Sequence, residues 1–189
     1  VFATLVVGNA VLQVSKQALY DTYGTVVSGD LAITSVQGGN FTVFGSDQLL
    51  VGEYLIGNTI PQYERINDYV SSLPQVRSTA GLVSAHAQVT VRWDIQNMTL
   101  FGVEFDEYRR LFPELKLVAG EFPSSGQPGM VVQTAQYEDA ESRIGMSALL
   151  ASGSGRSFAL REVPITGVFQ YPVSDPLLSS VVLVNADTA

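Results

Sequence analysis

Apolar positions recur every three to four residues in "TIPQYERINDYVSSLP", where Ile60, Tyr63, Ile66, Val70 and Leu73 share one face. That spacing predicts an amphipathic helix over 59–74. Thr59 and Gln62 have capping-box spacing, Pro61 suits a first turn, and Pro74 disfavours helix at Leu73. A period of two replaces this pattern over much of the remaining chain. "DLAITSV" at 30–36, "VRSTAGLVSAHAQVTVRW" at 76–93 and "MTLFGVEF" at 98–105 predict strands, with "WDIQN" turning or continuing between the last two. "FDEYRRLFP" predicts a short helix opened by Asp106 as cap and ended by Pro113, with Tyr108, Leu111 and Phe112 inward. Strands follow at "LKLVAGEF" and "MVVQ", then a helix over 134–145 with Thr134 as N-cap and Gly145 as left-handed terminator. "SALLASGSGRSFALREVPITGVFQ" predicts two strands around a Gly-Ser turn, and "SSVVLVN" a last apolar strand. Strands outnumber helices and the two types are partly segregated, so the fold class is α+β, with mixed sheets and packed helices.

Two segments break the pattern. "VFATLVVGNAVLQV" is an apolar run of 14 residues, short of the ~20 that span a bilayer. The polar stretch after it keeps helical spacing at Leu12, Lys16, Leu19 and Tyr23. Residues 1–29 are therefore expected to be the end of a membrane helix and its extracytoplasmic stalk, excised from a longer chain; an ordinary amphipathic helix is the alternative. In 40–58, glycines at 45, 52 and 57 interrupt a stretch too apolar for a free loop. Phe41, Phe44, Leu49, Leu50, Tyr54 and Leu55 are the candidate contacts of a hairpin or flap for an apolar or lipidated client or a neighbouring subunit. The alternative is a covered hairpin that completes the domain's own core.

Composition narrows the function classes. The 189 residues carry no cysteine, which removes disulfides, thiolate metal sites and cysteine nucleophiles. The net charge of −8 gives the surface the sign of phosphate, so counterion release cannot drive nucleic-acid binding. His86 is the one histidine and has no metal or nucleophile partner at usable spacing. Ser152, Ser154 and Ser157 sit in a Gly-Ser turn, and "GSGR" lacks the lysine of a phosphate loop. The carboxylates of "EDAE" at 138–141 suit a solvated face better than acid–base catalysis. No catalytic, cofactor or metal site is expected, and the chain does not read as an enzyme.

Taken in order, "GDLAITS", "SLPQVRSTAGLV", "LFGVEF", "LVAGEFP", "GMVVQ", "RIGMSALL", "VPITGVFQ" and "VVLVN" resemble the MacB-like periplasmic core domain of ABC transporter permeases of the MacB/LolC/LolE/FtsX group. The resemblance covers about Asp30 to Asn185. "GVEF" departs from it by lacking the usual proline after Gly-Val-Asp, and the chain stops at Ala189, before the expected closing elements. The resemblance implies a porter-like portion at 30–85, interrupted by a β-rich sabre-like portion at 86–178 and resumed at 179–189. It implies an extracytoplasmic location, no cofactor, and a cytoplasmic ATPase and second permease subunit as partners. Export or release of a lipoprotein, peptide or drug, or engagement of a periplasmic partner, would follow. A membrane-anchored extracytoplasmic α+β binding module unrelated to transport is the competing reading.

Overall fold

The computed structural model describes residues 24, 29–34, 60–154, 157–173 and 178–189, with backbone alone at 41–42, 45–46, 154 and 157. A two-stranded ribbon joins β1 (Phe41–Thr42) to β2 (Gly45–Ser46). The domain is built on seven further strands: β3 (Leu82–Val91), β4 (Asp94–Val103), β5 (Lys116–Gly120), β6 (Met130–Gln133), β7 (Ser147–Ser154), β8 (Ser157–Gln170) and β9 (Val181–Asn185).

Strand β8 organises the sheet because it is long enough to serve two neighbours in turn. Its residues up to Pro164 pair antiparallel with β7, and from Ile165 onward it pairs parallel with β6 and antiparallel with β5. A proline inside a strand removes a ladder donor, and Pro164 stands where the partners change. Around that point Ile165 donates to Met146 O at 2.8 Å and Gly145 donates to Ile165 O at 2.8 Å. The circuit β7–β3–β4–β9–β6–β8 returns to β7, so six strands close on themselves and β5 hangs from β8 as an edge. β4–β9 and β6–β8 are the parallel pairs.

Strand alternation divides the buried side chains between two cores. Val89, Leu100, Met130, Val132, Ile165, Val182 and Val184 point into the closed circuit. Their neighbours in sequence, Phe101, Val131, Val181 and Leu183, lie in the other core, with helix α2 (Phe105–Leu111) and Leu178. Within this second core the Tyr108 and Tyr171 hydroxyls meet at 3.3 Å. Burial pushes the Tyr108 phenol up to about 12, with the Tyr171 hydrogen bond acting weakly the other way. Burial likewise pushes Tyr171 well above the usual value.

The sign of the linkage is set by these raised folded-state values. Below pH ~10 both states keep both protons; above it the unfolded chain ionises while the native state does not, so stability falls. Urea titrations should show a flat profile to pH ~10 and then a loss approaching 1.4 kcal/mol per pH unit for each tyrosine. Tyr108→Phe/Tyr171→Phe should flatten that limb.

Four sequence expectations change. Asp30–Thr34 is not a strand: it makes no ladder, and Leu31 is exposed. Alternation permits a strand but does not supply a neighbour. The first predicted helix, α1 (Tyr63–Ser71), begins at Tyr63, with Gln62 at φ 55 in the cap position, its side chain bonding no backbone N–H of the first turn. Pro61 therefore precedes the helix instead of opening it. Glu104, not Asp106, caps α2. The helix over 134–145 is replaced by two 3-10 turns, Thr134–Gln136 and Ala140–Arg143, with Tyr137 extended between them. Side-chain tethers hold that geometry: Gln133 Nε2 donates to Leu178 O at 2.9 Å and Gln136 Nε2 to Val181 O at 2.8 Å. Gly145 does take the left-handed conformation, at φ 85.

β3 and β4 join through the two-residue turn Arg92–Trp93, since Val91 and Asp94 are partners. Arg92 holds φ 56, a region that costs an L-residue about 1–2 kcal/mol and glycine almost nothing. Arg92→Gly should therefore stabilise the fold by about 1 kcal/mol in thermal denaturation.

Candidate functional site

Of the six side chains proposed as client contacts, only the backbone of Phe41 is described, paired with Ser46. Phe44, Leu49, Leu50, Tyr54 and Leu55 lie outside the described residues.

The other candidate chemistry resolves into structural roles. His86 sits on β3 opposite Thr99, whose Oγ1 is 3.3 Å from His86 Nδ1. A shallow depression of about 320 Å3 lies there, lined also by Gln88, Asn97, Met98 and Ala151. Among the described residues the Thr99 hydroxyl is the group that meets the ring, and no carboxylate lines the depression. Among the described residues no group of three His, Cys, Asp or Glu could hold a metal ion.

The "EDAE" carboxylates are met by a cation from the same turn. Arg143 binds Asp139 at 3.0 Å and Asp94 at 3.3 Å, and its guanidinium stands 3.8 Å over the Tyr137 ring. Hydrogen bonds from Arg143 and Ser142 hold the Asp139 carboxyl below the usual carboxylate range. This is a brace that closes one end of the circuit, because Tyr137 and Ala140 reach into the inner core. The Tyr137 hydroxyl is buried without a hydrogen-bond partner among the described residues. An orphaned hydroxyl costs about 1–3 kcal/mol, so Tyr137→Phe should leave the melting temperature unchanged or raise it by a few degrees.

The surface is more informative than the cavities. Trp93 is 96% exposed at the β3–β4 turn, with Ile95 behind it at 60%. Phe158 and Leu160 stand exposed on the outer side of the β7–β8 hairpin. The sequence reading did not single out Trp93, although a sole tryptophan inside a turn between two strands was a usable signal.

The chain enters and leaves the seven-stranded sheet at one end. Leu82, Val103 and Asn185 form one cross-strand row, so the chain enters at β3 and leaves at β9 at the end opposite the Arg92–Trp93 turn. α2 follows β4 at that same end, and a Cβ built at Gly29 would lie 4.0 Å from the Leu111 side chain. Among the described residues no helix is long and apolar enough to cross a membrane.

No protein-family description matches this sequence, and no curated protein is significantly similar to it. Solved structures are. The extracellular domain of the ABC-type transporter YknZ from Gram-positive bacteria superposes with a TM-score of 0.50 at 15% identity, over 66% of this chain and 63% of that one. The periplasmic region of MacB from Actinobacillus actinomycetemcomitans gives a TM-score of 0.50 at 15% identity, over 66% of this chain and 55% of that one. Over those two thirds of the chain, the fold is like that of these extracellular and periplasmic domains. The chain spans between half and two thirds of the length of these MacB-like domains.

Proposed function

We propose that the chain is the extracytoplasmic domain of an ABC transporter permease and couples ATP hydrolysis in a cytoplasmic ATPase to export or release of a lipoprotein, peptide or drug. The likeness of its closed, mixed sheet to the YknZ and MacB domains carries this reading. In it, 30–85 begins the porter-like portion, 86–178 is sabre-like and 179–189 returns to the porter. One sheet crosses both boundaries: β3 runs through 85/86, and β9 lies between β4 and β6. Movement of either portion is thereby passed to the other through backbone ladders instead of a flexible linker. A ligand shifts such a device only through contacts that differ between its two states. The second permease subunit and the client are the partners this reading requires.

The test uses the full-length permease with its ATPase in proteoliposomes, comparing the intact protein with one whose residues 60–185 are replaced by a Gly/Ser linker. ATP hydrolysis should persist within a few-fold, while export of a labelled lipopeptide, a labelled peptide and a drug-like dye should all be lost. Unchanged export of whichever probe the intact transporter carries would defeat the proposal, as would full loss of ATPase assembly.

A further inference from the structure

The outer face of β3, β7 and β8 carries a slot with two unlike walls. Its floor is β7, where the outward positions are the small residues Ala151 and Gly153. On one side Ala151 faces Gln88, and the same antiparallel register sets Gly153 beside His86, whose carbonyl oxygen accepts from Ser152 Oγ at 3.2 Å. On the other side Ala151 faces Leu160 and Gly153 faces Phe158. Side chains two strands apart stand about 10 Å from each other, so the slot runs along β7 between a polar wall and an apolar one. Phe158 and Leu160 are both exposed.

The polar wall keeps its hydrogen-bonding capacity. Gln88 and Asn97 are directly opposed on β3 and β4, and among the described residues neither carboxamide has a hydrogen-bond partner. Each offers a carbonyl acceptor and an amide donor side by side. His86 meets Thr99 through Nδ1, which leaves Nε2 available. These side chains line the depression of about 320 Å3, and no carboxylate, lysine or arginine lines it. That volume is at the small end of the ~300–1,000 Å3 typical of ligand sites.

Chemistry selects the occupant. An uncharged lining offers nothing to pair with a phosphate or a carboxylate. An extended peptide is recognised through unpaired backbone groups at a sheet edge, whereas here the backbone is already taken up in the β3–β4, β3–β7 and β7–β8 ladders. A lipid chain would bury both carboxamides without partners, which is unfavourable. We infer that the slot binds a neutral sugar chain whose units carry acetamido groups. Ring hydroxyls and the acetamide bond to Gln88, Asn97 and His86, while the C–H face of the ring and the acetyl methyl lie on Phe158 and Leu160. This inference goes beyond the transporter reading and does not depend on it.

The test is calorimetric titration of the full-length permease in lipid nanodiscs with N-acetylchitohexaose. Cellohexaose, which lacks the acetamido groups, and a neutral extended hexapeptide are the comparison probes. The expected result is saturable binding of the acetylated chain, with both comparison probes weaker by about tenfold or more. Gln88→Ala, Asn97→Ala and Phe158→Ala should each weaken it by about fivefold with unchanged melting temperature, and Ala151→Phe, which fills the floor, should abolish it. If Ala151→Phe does not fold, the three truncations decide. No binding of the acetylated chain, equal binding of cellohexaose or of the hexapeptide, or an affinity that ignores the truncations would overturn the inference. Such a failure leaves the transporter reading standing, because the titration does not depend on which side of the membrane the slot lies.

Discussion

Phe101→Ala is expected to lower the unfolding free energy by about 4 kcal/mol, whereas Phe158→Ala should change it by less than about 0.5 kcal/mol. Both side chains belong to strands, and their surroundings decide the difference. Phe101 is fully buried in β4, opposite Ser84 on β3 and Leu183 on β9, in the core closed by α2. Removing the ring takes away buried apolar area and leaves a cavity walled by Leu183, Val131 and Tyr108, which strand ladders hold too firmly to collapse. Phe158 is 71% exposed at the end of the β7–β8 hairpin, so its truncation removes little buried surface. Since domains carry about 5–15 kcal/mol of net stability, urea denaturation should find Phe101→Ala close to the edge of folding at 37 °C. Equal losses for the two variants would mean that the sheet faces are assigned the wrong way round.

Gly120→Ala should be nearly as damaging, at about 3 kcal/mol or more, while Gly126→Ala should lose only about 1 kcal/mol. Both glycines hold φ 74, so both substitutions meet the same backbone strain. They differ in what a methyl group would touch. At Gly126 there is open space, but at Gly120 a Cβ would overlap the Thr166 carbonyl oxygen and come within 2.8 Å of Gly167 Cα. Those atoms are backbone of the neighbouring strand and cannot move without breaking the β5–β8 ladder, where Gly120 pairs with Gly167 and Glu121 donates to Thr166 O at 3.0 Å. Gly167 is constrained in return, since its own Cβ would lie 2.8 Å from Glu121 O. The "AGEF" and "ITGVF" segments thus each need a glycine because the other strand passes so near. Thermal denaturation of the two variants side by side gives the test, and similar shifts would show that crowding at Gly120 is relieved by movement of β5.

Those two glycines also mark the limit of what the sequence made legible. β6 and β9 were recognisable as short apolar runs bounded by turns, and the β3–β4 hairpin by its alternation, because these signals are local. Closure of the circuit was not legible. β8 looks like one ordinary strand until Pro164, and only the three-dimensional register shows it exchanging β7 for β5 and β6 there. The predicted helix at 134–145 failed for a related reason. Tyr137 and Ala140 do share a face, as helical spacing requires, but two 3-10 turns satisfy the same spacing once Gln133 and Gln136 are tied to residues 178 and 181. At Asp30–Thr34 the alternation was present, but no strand among the described residues pairs with it. For the site, composition spoke only to which chemistries lack their residue types, such as thiolate sites in a chain without cysteine. It could not reveal that the sole tryptophan would be nine-tenths exposed, because exposure depends on which way a hairpin points.

The side of the membrane on which this sheet lies tests the account most directly. These residues contain no cysteine, so a single Ser125→Cys in the exposed turn before β6, in a full-length permease freed of other cysteines, gives one reporter. In intact cells with a permeabilised outer envelope, a membrane-impermeant maleimide should label it as fully as in lysed cells. Labelling that appears only after the cytoplasmic membrane is broken would contradict the extracytoplasmic assignment and the coupling role built on it.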